Sequence, residues 1–309
     1  MIKNCIKHDL KYSIFSNIYT IFLSILCLLF GIVLFMNYNA ATDTYTSYNN
    51  SKAYYEKNNI DMDESEPYEI IQNEDTSITI SNPIAYYKEK VGQYIYAASP
   101  NYTISQMLET SVLFFPLFFG VLGLIYATFD FNYKTIKVRT IRSSKNDYSI
   151  SKHFVLIFSS VFLLSIALIL AKLIGLLMFQ LLKNSIPIDN FNYSLDNSHS
   201  ILIKYIFGCI VAICFAEIGY TLGIIFKKCF IGSILIAIYS LFFNNIGKYD
   251  LNNSIKELAK NIFDFYGVIN IGTTRFISVT ESILVISFVI IFCLITSVLI
   301  IRKRTSFVN

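Results

Sequence analysis

The sequence predicts an all-α integral membrane protein with six transmembrane helices, and three observations carry the prediction. Mean hydropathy is +0.54 over 309 residues. Only 15% of the residues are charged and 54% are hydrophobic, whereas a soluble domain carries about one quarter charged residues. Six apolar stretches of about 20 residues or more are each long enough, at about 1.5 Å per helical residue, to cross a hydrocarbon core of about 30 Å.

Taken in order, residues 1–15 place Ile2, Ile6, Leu10 and Ile14 on one face, with Lys3, Lys7 and Lys11 elsewhere. That is the pattern of an amphipathic helix at a membrane interface. The first span occupies 16–36, with its apolar run over 17–36. The run exceeds a signal-peptide core, and no small-residue cleavage pattern follows Phe35, so it is expected to remain in the chain. Residues 37–109 then form an extracellular module, acidic through Asp61, Asp63, Glu64, Glu66, Glu69, Glu74 and Asp75. Within it, 77–81 alternates like a strand and 83–96 reads as a helix. Its tyrosines (Tyr54, Tyr55, Tyr68, Tyr86, Tyr87, Tyr94, Tyr96) serve either as a small core or as a contact surface.

Residues 110–309 hold five further spans, over 110–129, 154–182, 201–226, 229–246 and 282–301. Between the last two, in the segment 247–281, Ile255, Leu258, Ile262 and Phe265 recur at helical spacing with Lys256, Glu257, Lys260 and Asp264 among them. This predicts an amphipathic helix on or dipping into the outer leaflet, the alternative being a helix packed on the module. Lys and Arg gather in one set of segments: the N-terminus, the 130–152 loop (Lys134, Lys137, Arg139, Arg142, Lys145, Lys152), Lys227 and Lys228, and Arg302 to Arg304. The positive-inside bias makes that set cytosolic, together with both termini. It also explains the net charge of +4 without nucleic acid. The six cysteines avoid the loops assigned outside, so no disulfide framework is expected.

Chemistry-bearing motifs are scarce. The sequence has no phosphate-binding Gly-x-x-x-x-Gly-Lys-Ser/Thr loop and no Gly-x-Ser-x-Gly elbow, and His8, His153 and His199 stand far apart. No catalytic residue, metal site or cofactor is therefore expected on this chain, and His8 and His153 read as solvated or interfacial. Two ionisable residues inside apolar runs, Lys172 and Glu217, are candidates for function, since each costs about 2.5–3.5 kcal/mol at a bilayer centre. Lys172 is expected to snorkel outward, and Glu217 to line a pathway or bond a neighbouring helix. Gly219 and Gly223, with Ala216 nearby, allow close helix approach, within one subunit or at a dimer axis. Phe114, Phe115, Phe118, Phe119 and Phe131 are expected to face lipid or pack, more than to touch a substrate.

The loop after the second span is the most informative segment. In it Ile136, Val138 and Ile141 alternate with Lys137, Arg139 and Arg142, so a short helix would bury one edge and present cations on the other, to a protein partner or to anionic lipid. Asp130, Thr135, Ile136 and Lys152 stand where the permease subunits of type-two ABC exporters carry an acidic residue, a Gly-Thr-apolar step and a Lys opening the third span; Lys134 stands in place of their Gly. The chain resembles that family also in its N-terminal amphipathic segment, its six spans, its long outside loop and the exit of its fourth span at 216–228.

The resemblance implies a bacterial cytoplasmic-membrane subunit that pairs with a second permease copy or a homologous permease. A separate ATPase holding ATP and Mg²⁺ would dock on Asp130, Lys134, Thr135, Ile136, Lys137, Arg139 and Arg142. It implies outward movement of a peptide or lipid-like cargo, of the kind met in export of, or immunity to, antimicrobial peptides. Two other classes compete with this expectation: a peptide sensor that signals through the ATPase without transport, and a membrane-embedded enzyme, which the scattered polar residues disfavour.

Overall fold

The structure, a computed structural model, describes residues 2–60, 66–72, 78–133, 135–136, 139, 144–191, 199–242, 247–269, 271–272 and 274–303. Among them are ten α-helices and one two-stranded ribbon. The helices are α1 (Ile2–Phe15), α2 (Ile18–Lys57), α3 (Pro83–Ala97), α4 (Thr103–Glu109), α5 (Phe115–Asn132), α6 (Lys145–Ser185), α7 (Ile201–Phe226), α8 (Cys229–Phe242), α9 (Leu251–Ile262) and α10 (Val279–Lys303). Five of them, α2, α5, α6, α7 and α10, are long and apolar enough to cross a membrane. The protein is thus a helical membrane protein. The stretch 229–246, expected as a further crossing, holds α8, whose 14 residues rise only about 21 Å.

α2 and α6 set the dimensions. They contain 40 and 41 residues, about 60 Å each, twice the thickness of a hydrocarbon core. The region expected to begin a separate module at residue 37 instead begins with α2 continuing unbroken to Lys57. Its far half buries Ala41 and Tyr48 against Ile84, Val91 and Ile95 of α3, and against Leu182, Ile186 and Phe191 at the end of α6. The module is built on two long helices because so small a segment buries too little apolar surface alone. Tyr45 and Tyr48 pack edge-on to Phe191, with ring centroids 5.7 and 5.3 Å away, whereas Tyr54 is exposed. Of the tyrosines expected to form a core or a surface, Tyr55, Tyr87 and Tyr94 also pack on this cluster while Tyr54 does not, so they divide between the two. Strands β1 (Ile70–Gln72) and β2 (Ile78–Ile80) pair antiparallel, with Ile70 opposite Ile80. Asn82 caps α3 by accepting from the Ala85 amide at 3.2 Å, and Pro83 pre-sets its first turn.

The core of the bundle is the α5–α7 seam. A Cβ on Gly219 would lie 1.9 Å from the Gly120 carbonyl oxygen, and one on Gly123 2.0 Å from that of Ala216. Backbone therefore touches backbone, as small residues permit. Gly223 meets Ala127 across the same seam. Gly219 and Gly223 are thus packing residues within one chain, and the dimer-axis reading is not needed. Phe115, Phe118 and Phe119 are buried, with Phe22 of α2 edge-on to Phe118 at 5.1 Å, so these rings pack inward and do not face lipid.

α9, expected on or dipping into the outer leaflet or packed on the module, packs into the bundle. Besides Ile255, Leu258 and Ala259 it buries Asn252, Asn253 and Ser254. Asn253 makes this possible by donating to the carbonyls of Arg275 (2.8 Å) and Lys248 (2.9 Å) and accepting from the Arg275 amide (2.8 Å). With its polar side bonded to protein, the helix is enclosed between α7 and α10.

Candidate functional site

At the last turn of α5 the chain assembles an ion ring. Asp130 is 1% exposed. Its Oδ1 accepts from Thr135 Oγ1 at 2.7 Å, and its Oδ2 accepts from Tyr148 at 2.6 Å, Lys152 at 2.8 Å and Arg139 at 2.9 Å. Asp9 of α1 closes the ring, at 2.6 Å from Arg139 Nη2 and 3.2 Å from Lys152 Nζ. Two carboxylates and two cations alternate, and Thr135 and Tyr148 fill remaining lone pairs, which is the condition under which buried charges are tolerated. Burial works against the charge on Arg139, but Asp130 and Asp9 outweigh it and hold its pKa above the ordinary arginine value.

This arrangement changes the role read for the loop. Arg139 turns inward instead of presenting its charge, and Ile136 is 1% exposed within the core. Lys134, Lys137 and Arg142 lie outside the described residues. α1 buries Asp9 and Ser13, and of its apolar face Ile6 and Leu10 pack on the core while Ile14 is exposed. Ser13 is drawn in by Tyr126, which donates to it at 2.6 Å. Between α1 and the loop lies a cleft of about 320 Å³, walled by Tyr12, Phe129 and Tyr133, with His8, Thr135 and Arg139 beside Asp130. His8 is not merely solvated, since its Nδ1 lies 2.7 Å from Arg139.

The next residue along α6 extends the site. His153 is buried, with Nδ1 2.7 Å from Glu217 Oε2 on α7 and Nε2 2.8 Å from Ser297 Oγ on α10. The Tyr220 ring packs on it at 4.8 Å. The interfacial role expected for His153 is therefore replaced by a bridge among three helices, and the partner that Glu217 required is this histidine. The order Ser–His–Glu is that of a hydrolytic triad, but Ser297 is fully buried mid-helix and also bonds the Leu294 carbonyl at 2.9 Å. The geometry ties helices together and leaves no face for a substrate. Lys172 stands exposed on α6, about 28 Å along the helix from His153, the residue that bonds Glu217.

A second buried cluster lies at the opposite end of the bundle, beside the α2–α3 module. Lys204, inside the apolar run 201–226, is 1% exposed. Its Nζ is 2.8 Å from Asp264 Oδ2 and 3.0 Å from Ser105 Oγ, and it lies over the Tyr102 ring. Glu109, fully buried, accepts from the Tyr102 hydroxyl. Burial pushes its carboxyl up to about 7, opposed by the Tyr102 hydrogen bond and by Lys204. Sequence reasoning missed this cluster. Its one signal was a lysine in the first turn of an apolar helix, which is indistinguishable from an interfacial anchor until Asp264 is placed beside it.

Comparison with known protein families, with curated proteins and with solved structures gives no match.

Proposed function

We propose that the chain is the permease subunit of an ATP-driven exporter in a bacterial cytoplasmic membrane. It moves an amphipathic or hydrophobic cargo outward, peptide or lipid-like, beside a second permease copy or a homologous permease. ATP and Mg²⁺ sit on a separate ATPase that docks on the 130–152 loop. The observation that carries this reading is the ion ring. Through Arg139 and Lys152 it joins the loop to α1, α5 and α6, and His153 extends the connection to α7 and α10. A push on the loop then reaches the helices through short charge-assisted bonds, as a motor acting from outside the bundle requires.

The test is purification of the tagged full chain from its native membrane, followed by reconstitution. An ATPase that co-purifies and drives cargo outward supports the reading. Activity of the isolated chain without any ATPase overturns it. Because Arg139 belongs to the ring, docking is probed with Lys137→Glu and Arg142→Glu while Arg139 is kept. Loss of the ATPase from that variant is the expected result.

The sensing alternative draws on the continuity of α2 and α6 from the module into the bundle. Such rods can pass a binding event inward with no pathway for cargo. Ligand-stimulated ATP hydrolysis without cargo movement would favour it.

A further inference from the structure

The cleft between α1 and the loop end of α5 has a wall of stacked rings. Phe129 lies between Tyr12 of α1, at 4.2 Å, and Tyr133, at 4.4 Å, with interplanar angles of 41° and 34°. Phe129 and Tyr133 are four residues apart, at the last turn of α5 and its C-cap, which puts both rings on one face. α1 brings Tyr12 to the same column while carrying Asp9 into the ion ring three residues earlier. Tyr133 is 67% exposed, so the column ends in an open ring.

Size, charge and hydrogen bonding narrow what this cleft can hold. It encloses about 320 Å³, at the small end of the range of about 300–1,000 Å³ for ligand pockets. An apolar cavity of about 150 Å³ holds benzene, so this one takes one or two fused rings. Stacked aromatic faces favour a planar ring over an aliphatic chain of equal size. The charges lining the cleft are already matched: Asp130 accepts from Thr135, Tyr148, Lys152 and Arg139, and Arg139 also pairs with Asp9. A charged ligand would therefore give up hydration without finding an unmatched countercharge there. His8 supplies a donor. A guanidinium cannot accept, so the 2.7 Å contact with Arg139 Nη2 makes Nδ1 of His8 the acceptor and leaves the ring proton on Nε2. Nε2 has no partner among the described residues.

We propose that the cleft is a binding site for a small, uncharged, planar aromatic molecule of one or two rings that carries a hydrogen-bond acceptor. The molecule extends the Tyr12–Phe129–Tyr133 column, and its acceptor takes the hydrogen bond of His8 Nε2. Bound there it spans α1 and the end of α5, the elements that Asp9 and Asp130 already join through Arg139 and Lys152. Occupancy therefore braces the ion ring from its solvent side. The site goes beyond the proposed function and needs no ATPase.

The experiment uses the full chain in lipid nanodiscs, without any ATPase, and quinoline as the probe. Naphthalene serves as its twin without an acceptor, and decalin as the two-ring control without aromaticity. Ligand-observed NMR reads binding, with empty nanodiscs correcting for partition into lipid. Quinoline should bind saturably and about 5-fold more tightly than naphthalene, in line with one hydrogen bond. Decalin should show no saturable binding. Tyr133→Ala should weaken quinoline on the order of 10-fold with an unchanged unfolding midpoint, and His8→Leu should abolish the preference for quinoline over naphthalene. Should Tyr133→Ala not fold, Tyr133→Leu, which keeps apolar bulk, gives the same test. Quinoline uptake equal to that of empty nanodiscs overturns the proposal, as does native affinity in the Tyr133 variant. Decalin binding as tight as that of quinoline, the result expected of a seat for a lipid chain, overturns it too, and so does a preference for quinoline that survives His8→Leu.

Discussion

The two buried ionic clusters contrast in their balance. At the loop end, Asp9 and Asp130 face Arg139 and Lys152, and hydroxyls from Thr135 and Tyr148 complete the bonding of Asp130. At the module end, Lys204 pairs with Asp264 and Glu109 accepts from the Tyr102 hydroxyl, while Oε2 of Glu109 and both amide atoms of Gln106 lack hydrogen-bond partners among the described residues. A balanced, bonded ring has no protonation change that relieves it, so it acts as a clamp. A buried carboxyl with an unbonded oxygen is relieved by taking up a proton, so this cluster responds to pH. Burial is similar at both ends; the completeness of bonding separates them.

Breaking the clamp should give the largest effect. Asp130→Ala leaves Arg139 and Lys152 with Asp9 alone and should lower stability by about 3–5 kcal/mol, the range for a buried pair that loses one partner. Chemical unfolding in detergent micelles measures it, and a loss under about 1 kcal/mol would show that the ring is not a clamp.

The module end should instead respond to pH. Glu109 has a folded pKa of about 7 against an ordinary 4.5, so the folded chain keeps a proton that the unfolded chain gives up. Its contribution is therefore full below pH 4.5 and is lost as the pH rises through 7, about 3 kcal/mol in all. Glu109→Gln should flatten that part of the stability profile. Lys204→Met should destabilise more at pH 8 than at pH 5, because only ionised Glu109 misses the cation; equal losses at both pH values would erase the distinction between the clusters.

The glycine seam sets how closely α5 and α7 approach. Gly219→Ala drives a methyl group into the Gly120 carbonyl and should cost roughly 1–3 kcal/mol. Gly31→Ala, with open space around it, should be neutral or stabilising by up to about 1 kcal/mol. Unfolding midpoints of the pair separate packing from helix propensity. Smallest of all, Lys172→Gln on the exposed face of α6 should stay within about 0.5 kcal/mol, and a larger change would give Lys172 a partner that the fold does not suggest.

Much of the helical framework was legible in the chain. The apolar run 201–226 coincides with Ile201–Phe226, and the alternation at 77–81 and the helix signal at Pro83 correspond to Ile78–Ile80 and Pro83–Ala97. The candidate site was legible only in part. Asp130, Thr135, Arg139 and Lys152 were singled out and do meet, but Asp9, Tyr148, His153, Lys204 and Glu109 were not recognised as members of clusters.

The sequence by itself determined the solvent, because composition and run length fix which segments can sit in hydrocarbon. It also determined where helices lie, because backbone hydrogen bonds in that solvent leave few alternatives. Only the tertiary structure decided what each charge meets. His153 and Ser297 are 144 residues apart, and Lys204 and Asp264 are 60 apart. Periodicity tells a helix which face to bury and says nothing about which helix will cover it. That choice is made by packing, at contacts such as Gly219 on Gly120, and the partners of every buried charge follow from it.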